Sequence, residues 1–149
     1  MKTMRISSPA FMDHGHIPSE HTCDGEDISP PLLFENVPED SQSLALIVED
    51  PDAPGKTWVH WVVVNIEPHT SKVWEDSVPT GGMEAVTDFG HAGWGGPCPP
   101  SGPHRYHFKL YALDCVLDVT EDIMRSEVEH AMEGHIIEKA ELTGIYSRE

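Results

Sequence analysis

Basic residues are scarce in this sequence: 9 Lys and Arg stand against 26 Asp and Glu, a formal charge of −17 with the histidines neutral. Phosphates would be repelled by such a chain, which argues against non-specific binding of nucleic acid or of an anionic membrane surface. No apolar run approaches membrane-spanning length, because the longest is broken by His60 and Asn65. The opening stretch MKTMRISSPAFMDHGHIPSE lacks the apolar core of a secretory signal. Cysteine is sparse as well. Cys23, Cys98 and Cys115 are odd in number and have no CxxC spacing, which predicts reduced thiols in a cytoplasmic protein. Cys98 lies among glycines and prolines within reach of solvent, and Cys115 is expected to be a buried packing residue. Three familiar catalytic or phosphate signatures are also missing: GxxxxGK[ST], GxSxG and HExxH. There is no internal repeat.

What is present fits one domain over residues 1–149, long enough for a proper hydrophobic core. The chain is organised around SLALIVEDPDAPGKTWVHWVVVNI, residues 43–66. Its two apolar runs, Leu44–Val48 and Trp58–Val64, are β-branched and aromatic, which favours strands. Between them a turn carries Asp50, Pro51, Asp52, Pro54 and Gly55. Around this pair the reading is coarser. Lys2–Ser7 is a candidate edge strand, and residues 8–31 form a long irregular connection of the kind that wraps a core or serves a function. Leu32–Val37 is a short strand stopped by Pro38, and Val73-Trp74 another before Pro79. From Thr80 to Pro103 glycine and proline exclude a helix or a central strand. RYHFKLYALD, Arg105–Asp114, alternates strictly, with Tyr106, Phe108, Leu110 and Ala112 on one face. Thr120 is an N-cap candidate for the one helix, which carries Ile123, Val128, Ala131 and Met132 on its apolar face. A Glu121/Arg125 pair supports it and Gly134 ends it. Glu138–Tyr146 is a final strand. Strands, long loops and one late helix make a mostly-β sandwich.

Three groups of residues carry candidate chemistry. Asp50 and Asp52, two apart on an extended segment, face the same way. They suit ordinary turn capping, an acid–base pair, or a receiver for a cationic group. His60 alternates with Trp58 and Val62 on an apolar face and needs a polar partner, for which the two aspartates are the nearest candidates in sequence. In GWGGPCPPSGPHRY, residues 93–106, Gly93, Gly95 and Gly96 allow close backbone approach to a ligand and inward N–H groups. Pro99 and Pro100 stiffen that loop, and His104 and Tyr106 share a strand face, offering donors suited to an anion. A metal alternative, His14, His16, His21 and Cys23, has a spacing that fits no zinc pattern. His130 and His135 lie off a common helix face.

Together VEDPDAPGKTWVHWVVVNI (48–66) and GGPCPPSGPHRYHFKLYALD (95–114) resemble the phosphatidylethanolamine-binding protein family, in its short bacterial and archaeal Raf-kinase-inhibitor-like branch. HTCDGEDISPPLLF (21–34) and AMEGHIIEKAELTGIY (131–146) extend the likeness to nearly the whole chain. The resemblance implies a Greek-key β-sandwich of two antiparallel sheets with a small pocket for an anionic head group. Carried over position by position, the pocket uses Asp50, Asp52 and His60. Trp58 forms one apolar wall and Gly96, Pro97, Cys98, Pro99 and Pro100 the other, and His104 and Tyr106 complete it. A cis peptide is implied within DPDAP, at Ala53–Pro54. The chain departs from the eukaryotic branch in having only Ser101-Gly102-Pro103 between Pro100 and His104, and it is expected to lack the helix that follows the last strand in that branch.

The expected function is therefore a non-enzymatic binding protein for phosphate-type anions or phosphorylated head groups, regulating a protein partner such as a kinase or protease. Anion binding should strengthen as pH falls through the histidine range, about 7 to 5.5. The alternative is a small-molecule hydrolase using the Asp/His pocket for acid–base chemistry. No cofactor or metal, no nucleic acid and no integral membrane association is expected, and exposed edge strands would permit a homodimer.

Overall fold

In the computed structural model, which describes residues 2–120 and 122–148, two sheets face each other across a common core. The strands are β1 (Arg5–Ser7), β2 (Gly15–His16), β3 (Leu32–Glu35), β4 (Ser43–Asp50), β5 (Trp58–Ile66), β6 (Lys72–Val73), β7 (Met83–Glu84), β8 (His104–Leu113) and β9 (Ile136–Tyr146), with one helix, α1 (Arg125–Met132), among the described residues. The small sheet has order β1-β3-β6 and the large one β2-β9-β8-β4-β5-β7. Within the large sheet, β8 returns to lie beside β4 after β5 and β7 have been laid on its other side. That is the Greek-key return expected of a β-sandwich. All pairings are antiparallel except β2 with β9, which is parallel, a departure from the uniform antiparallel expectation.

Burial explains the two central runs. Every residue of β4 is buried, because the large sheet is covered on both faces. Leu44, Leu46 and Val48 meet Ile6, Phe34 and Val73 of the small sheet, with Phe108 and Leu110 of β8 alongside. Ala45 and Ile47 meet Val128 and Met132 of α1 on the other face. A strand buried on both sides reads as a continuous apolar run, which is what SLALIV is. The helix is shorter than expected. It begins at Arg125 behind Met124, whose N–H donates to Glu127 Oε1, while the Thr120 hydroxyl bonds Asp122 within a preceding turn. The intervening segment is instead captured by Val86, which donates its N–H to the Ile123 carbonyl and bridges Met124. Gly134, at φ 79°, ends the helix as expected. The Glu121/Arg125 pair falls outside the described residues. Arg125 itself reaches Glu49, which also holds Lys109, each contact at 2.6 Å.

The cysteine expectation is overturned. Cys23 and Cys98 form a disulfide, joining the long N-terminal connection to the Gly/Pro-rich loop. They stand 75 residues apart, so only the folded path of both loops could bring them together. Reduced thiols were the ground for expecting a cytoplasmic protein, and the bond removes that ground. Cys115 is free and half-buried, packed against the helix-side core. No helix among the described residues is long and apolar enough to cross a membrane.

Candidate functional site

At the end of the large sheet where β4 stops and β5 and β8 begin, a cavity of about 290 Å³ opens. Its polar groups come from strand ends: Asp50 closes β4, His60 enters β5, and His104 and Tyr106 start β8. All four are buried. Apolar walls are supplied by Ala53, Pro54, Trp58 and Phe89 together with Cys98, Pro99 and Pro100.

His60 reaches this cavity by a bulge. Val48 pairs with Trp61 and Glu49 with Val59, so His60 is the extra residue on β5. A bulge re-aims side chains. It puts His60 on the pocket side with Trp58, while Val62 turns to the helix-side core, against the simple alternation expected from the sequence. The polar partner of His60 also differs from expectation. Its Nδ1 lies 2.6 Å from the Gly95 carbonyl, not on an aspartate, so Nδ1 carries the proton and Nε2 is left for the pocket. Burial holds this imidazole below the ordinary histidine value of 6.5, against the Gly95 carbonyl and the Asp50 charge, which pull the other way.

The two aspartates part company. Asp50 accepts from His104 Nδ1 at 2.7 Å and from the Asp52 N–H at 2.8 Å. Asp52 points out of the cavity to Arg105, whose Nε and Nη2 form a fork on it at 2.9 and 2.8 Å. That fork holds the Asp52 carboxyl down to about 2. Successive strand residues face opposite ways, so Arg105 turns outward between inward His104 and Tyr106, and Asp52 follows it.

Gly96 and Pro97 stand behind the wall instead of lining it. The Gly96 N–H donates to Asp27 Oδ1 at 2.8 Å, and the Gly95 N–H to the His60 carbonyl at 3.0 Å. These loop donors are therefore spent within the chain, contrary to the expectation that they point at a ligand. Gly96 is required for a different reason: a Cβ there would overlap Asp27 Oδ1 and the His21 carbonyl. Every described peptide bond is trans, Ala53–Pro54 included, so the implied cis bond does not occur. Nor does the quartet His14, His16, His21 and Cys23 assemble as a metal site. Cys23 is in the disulfide, and exposed His14 sits beside Asp13.

Sequence reasoning placed Ala53 and Pro54 only in the turn and missed Phe89 altogether, and all three line the pocket. The Phe89 ring meets Trp58 edge-on at 5.6 Å and His60 at 5.3 Å. The available signal was a lone phenylalanine in a glycine-rich loop. Tyr106 is the most buried of the four polar groups. Its ring stands 5.2 Å from His60 and 6.4 Å from His104, and its buried hydroxyl has no hydrogen-bond partner. Burial, then the charges of Asp50 and Asp52, push the phenol well above its ordinary range, so it keeps its proton.

A family profile described as phosphatidylethanolamine-binding protein matches residues 7–147, and the chain belongs to that family. A UPF0098 protein of Methanothermobacter thermautotrophicus is 49% identical over 97% of this chain and 99% of its own length. The crystal structure of a phosphatidylethanolamine-binding protein homologue from Chlamydia trachomatis superposes with a TM-score of 0.96 at 40% identity, covering all of both chains. Escherichia coli YbcL, described as a new member of the mammalian family, gives 0.92 at 34% identity over 99% of this chain and 100% of its own.

Proposed function

We propose that the chain is a binding protein whose pocket takes a small phosphate-type anion or a phosphorylated head group. The Tyr106 hydroxyl carries this reading. A buried hydroxyl without a partner costs free energy unless a ligand accepts its proton, and an anionic oxygen is the strongest acceptor available. The neighbouring rings complete a matched set. His60, neutral with Nδ1–H on Gly95, offers an acceptor at Nε2, which suits the P–OH of a singly charged phosphate. His104, anchored through Nδ1 on Asp50, becomes a second donor when its Nε2 is protonated. The apolar walls suit a short organic substituent on the phosphate.

Titration of inorganic phosphate, then phosphorylethanolamine, followed by histidine-ring NMR at pH 6 and pH 7.5, tests the reading. Saturable shifts at His60 and His104 are expected, larger in affinity at pH 6 and absent in His104→Ala. Rings that do not move at about 1 mM ligand would overturn it.

One observation favours a second reading, hydrolysis of a small phosphorylated or ester substrate. The bond from His104 to Asp50 has the form of an oriented general base. Turnover of a phosphomonoester that disappears in His104→Ala would establish it. Binding without turnover would leave the first reading alone.

A further inference from the structure

We propose that His21, Glu20 and Glu75 form a site for a divalent transition-metal ion of the zinc type, behind the pocket wall. His21 ends the 3₁₀ turn Ser19–His21 and is fully buried. Its Nδ1 lies 3.0 Å from the Ile28 carbonyl, which can only accept, so Nδ1 carries the proton and Nε2 a bare lone pair. That Nε2 is buried and has no hydrogen-bond partner. A carbonyl behind one ring nitrogen with the other left open is the arrangement of a metal-ligating histidine.

The open nitrogen faces carboxylates. Glu20 Oε1 stands 4.0 Å from Nε2, too far for a hydrogen bond. Glu75 brings a third ligand atom, and all three lie within 4.8 Å of one another. Ligand atoms sharing an ion at about 2 Å in tetrahedral geometry stand about 3.4 Å apart. Small rotations of the exposed Glu20 and Glu75 side chains close that gap while buried His21 stays fixed. The backbone is already braced for it, with the Asp76 N–H on the Ser29 carbonyl and the Ile28 N–H on the Glu20 carbonyl. One nitrogen and two carboxylates suit a borderline ion such as Zn²⁺, with water completing the shell.

The same loop holds the pocket wall. The His21 carbonyl accepts from Trp94 Nε1 at 3.2 Å, and the Cys23 N–H donates to the Pro97 carbonyl at 3.1 Å. An ion at His21 would therefore fasten the support of residues 94–98. A second cluster, Asp114, Cys115 and His135, is the rival zinc ligand set. There the His135 Nδ1 is already bonded to Asp114 at 2.8 Å, and no buried nitrogen is left open.

The test is calorimetric titration of Zn²⁺ into the full chain with its disulfide intact, in phosphate-free buffer at pH 7.5. Uptake of one ion is expected, with affinity falling about tenfold or more in Glu75→Gln and in Glu20→Gln. Both positions are exposed, so both variants should fold where His21→Ala fails. Zinc should also shift the His21 ring nitrogen in the NMR spectrum. Absence of uptake, affinity unchanged from the native chain in the two glutamine variants, or uptake that is lost in Cys115→Ser or His104→Ala would overturn the assignment.

Discussion

His104 Nδ1 and Asp50 Oδ2 stand 2.7 Å apart, a buried bond that ties the first residue of β8 to the last residue of β4. Within two residues of each partner lies a second acid–base pair, Asp52 with Arg105, on the exposed side. The two pairs differ in their bases, an imidazole with one bond against a guanidinium fork, and in burial, which sets their consequences apart.

Asp50→Asn should destabilise the fold by about 2 kcal/mol, because a buried hydrogen bond to a charged acceptor is weakened. Asp52→Asn should cost at most about 1 kcal/mol, its partner being largely solvated. Its effect has a pH signature. The folded carboxyl is lowered from 3.8 to about 2, so its contribution is full above pH 3.8 and is lost as pH falls toward 2. Urea melts of both variants at pH 7, with Asp52→Asn repeated at pH 3, measure the difference. Equal losses at pH 7 would contradict the burial argument.

Tyr106→Phe should move stability and binding in opposite directions. Removing a buried hydroxyl that has no partner leaves the fold unchanged or more stable by about 1 kcal/mol. Removing the donor an anion would use weakens phosphate binding by about tenfold or more. A denaturant midpoint and an NMR titration on the same variant suffice. A variant that loses stability while binding phosphate normally would show the hydroxyl to be structural.

His60 gives the acid side of the stability curve a specific origin. Its folded pKa lies below the unfolded value of 6.5, so the unfolded state takes up the proton first. Stability is therefore unaffected by this residue above pH 6.5 and declines as pH falls through the folded value. His60→Gln should flatten that decline in thermal melts between pH 7.5 and 5. Melts of identical pH slope in both proteins would refute the assignment.

The Cys23–Cys98 bond closes a loop of 75 residues. Loop-closure entropy assigns such a crosslink about 4 kcal/mol. Dithiothreitol should lower the urea midpoint of the native chain accordingly and leave a Cys23→Ser/Cys98→Ser variant unmoved. Because Cys98 lines the pocket, reduction should also broaden the Phe89 and His60 ring signals. Superimposable melts with and without reductant would mean the bond adds nothing.

Much of the fold follows from local chemistry. The β-branched runs of β4 and β5, the strict alternation of β8 and the glycine that stops α1 are decided within a few residues, by sterics and by which faces are apolar. The same holds for the pocket's strand-borne groups. Asp50, Trp58, His60, His104 and Tyr106 are carried to one end of the sheet by strands legible in the sequence. Tertiary structure decided the rest, where the outcome depends on a partner far along the chain. The β5 bulge that re-aims His60 arises from register with β4, and its acceptor, the Gly95 carbonyl, is 35 residues away. The helix loses its expected first turn because Val86 captures Ile123 and Met124. Phe89 enters the pocket and Cys23 finds Cys98 only because two irregular loops are packed together. The glycine N–H groups turn to Asp27 and to the His60 backbone for the same reason. Periodicity records the face a residue presents within its own element. Loops have no period, and their contacts are fixed only when the chain closes on itself.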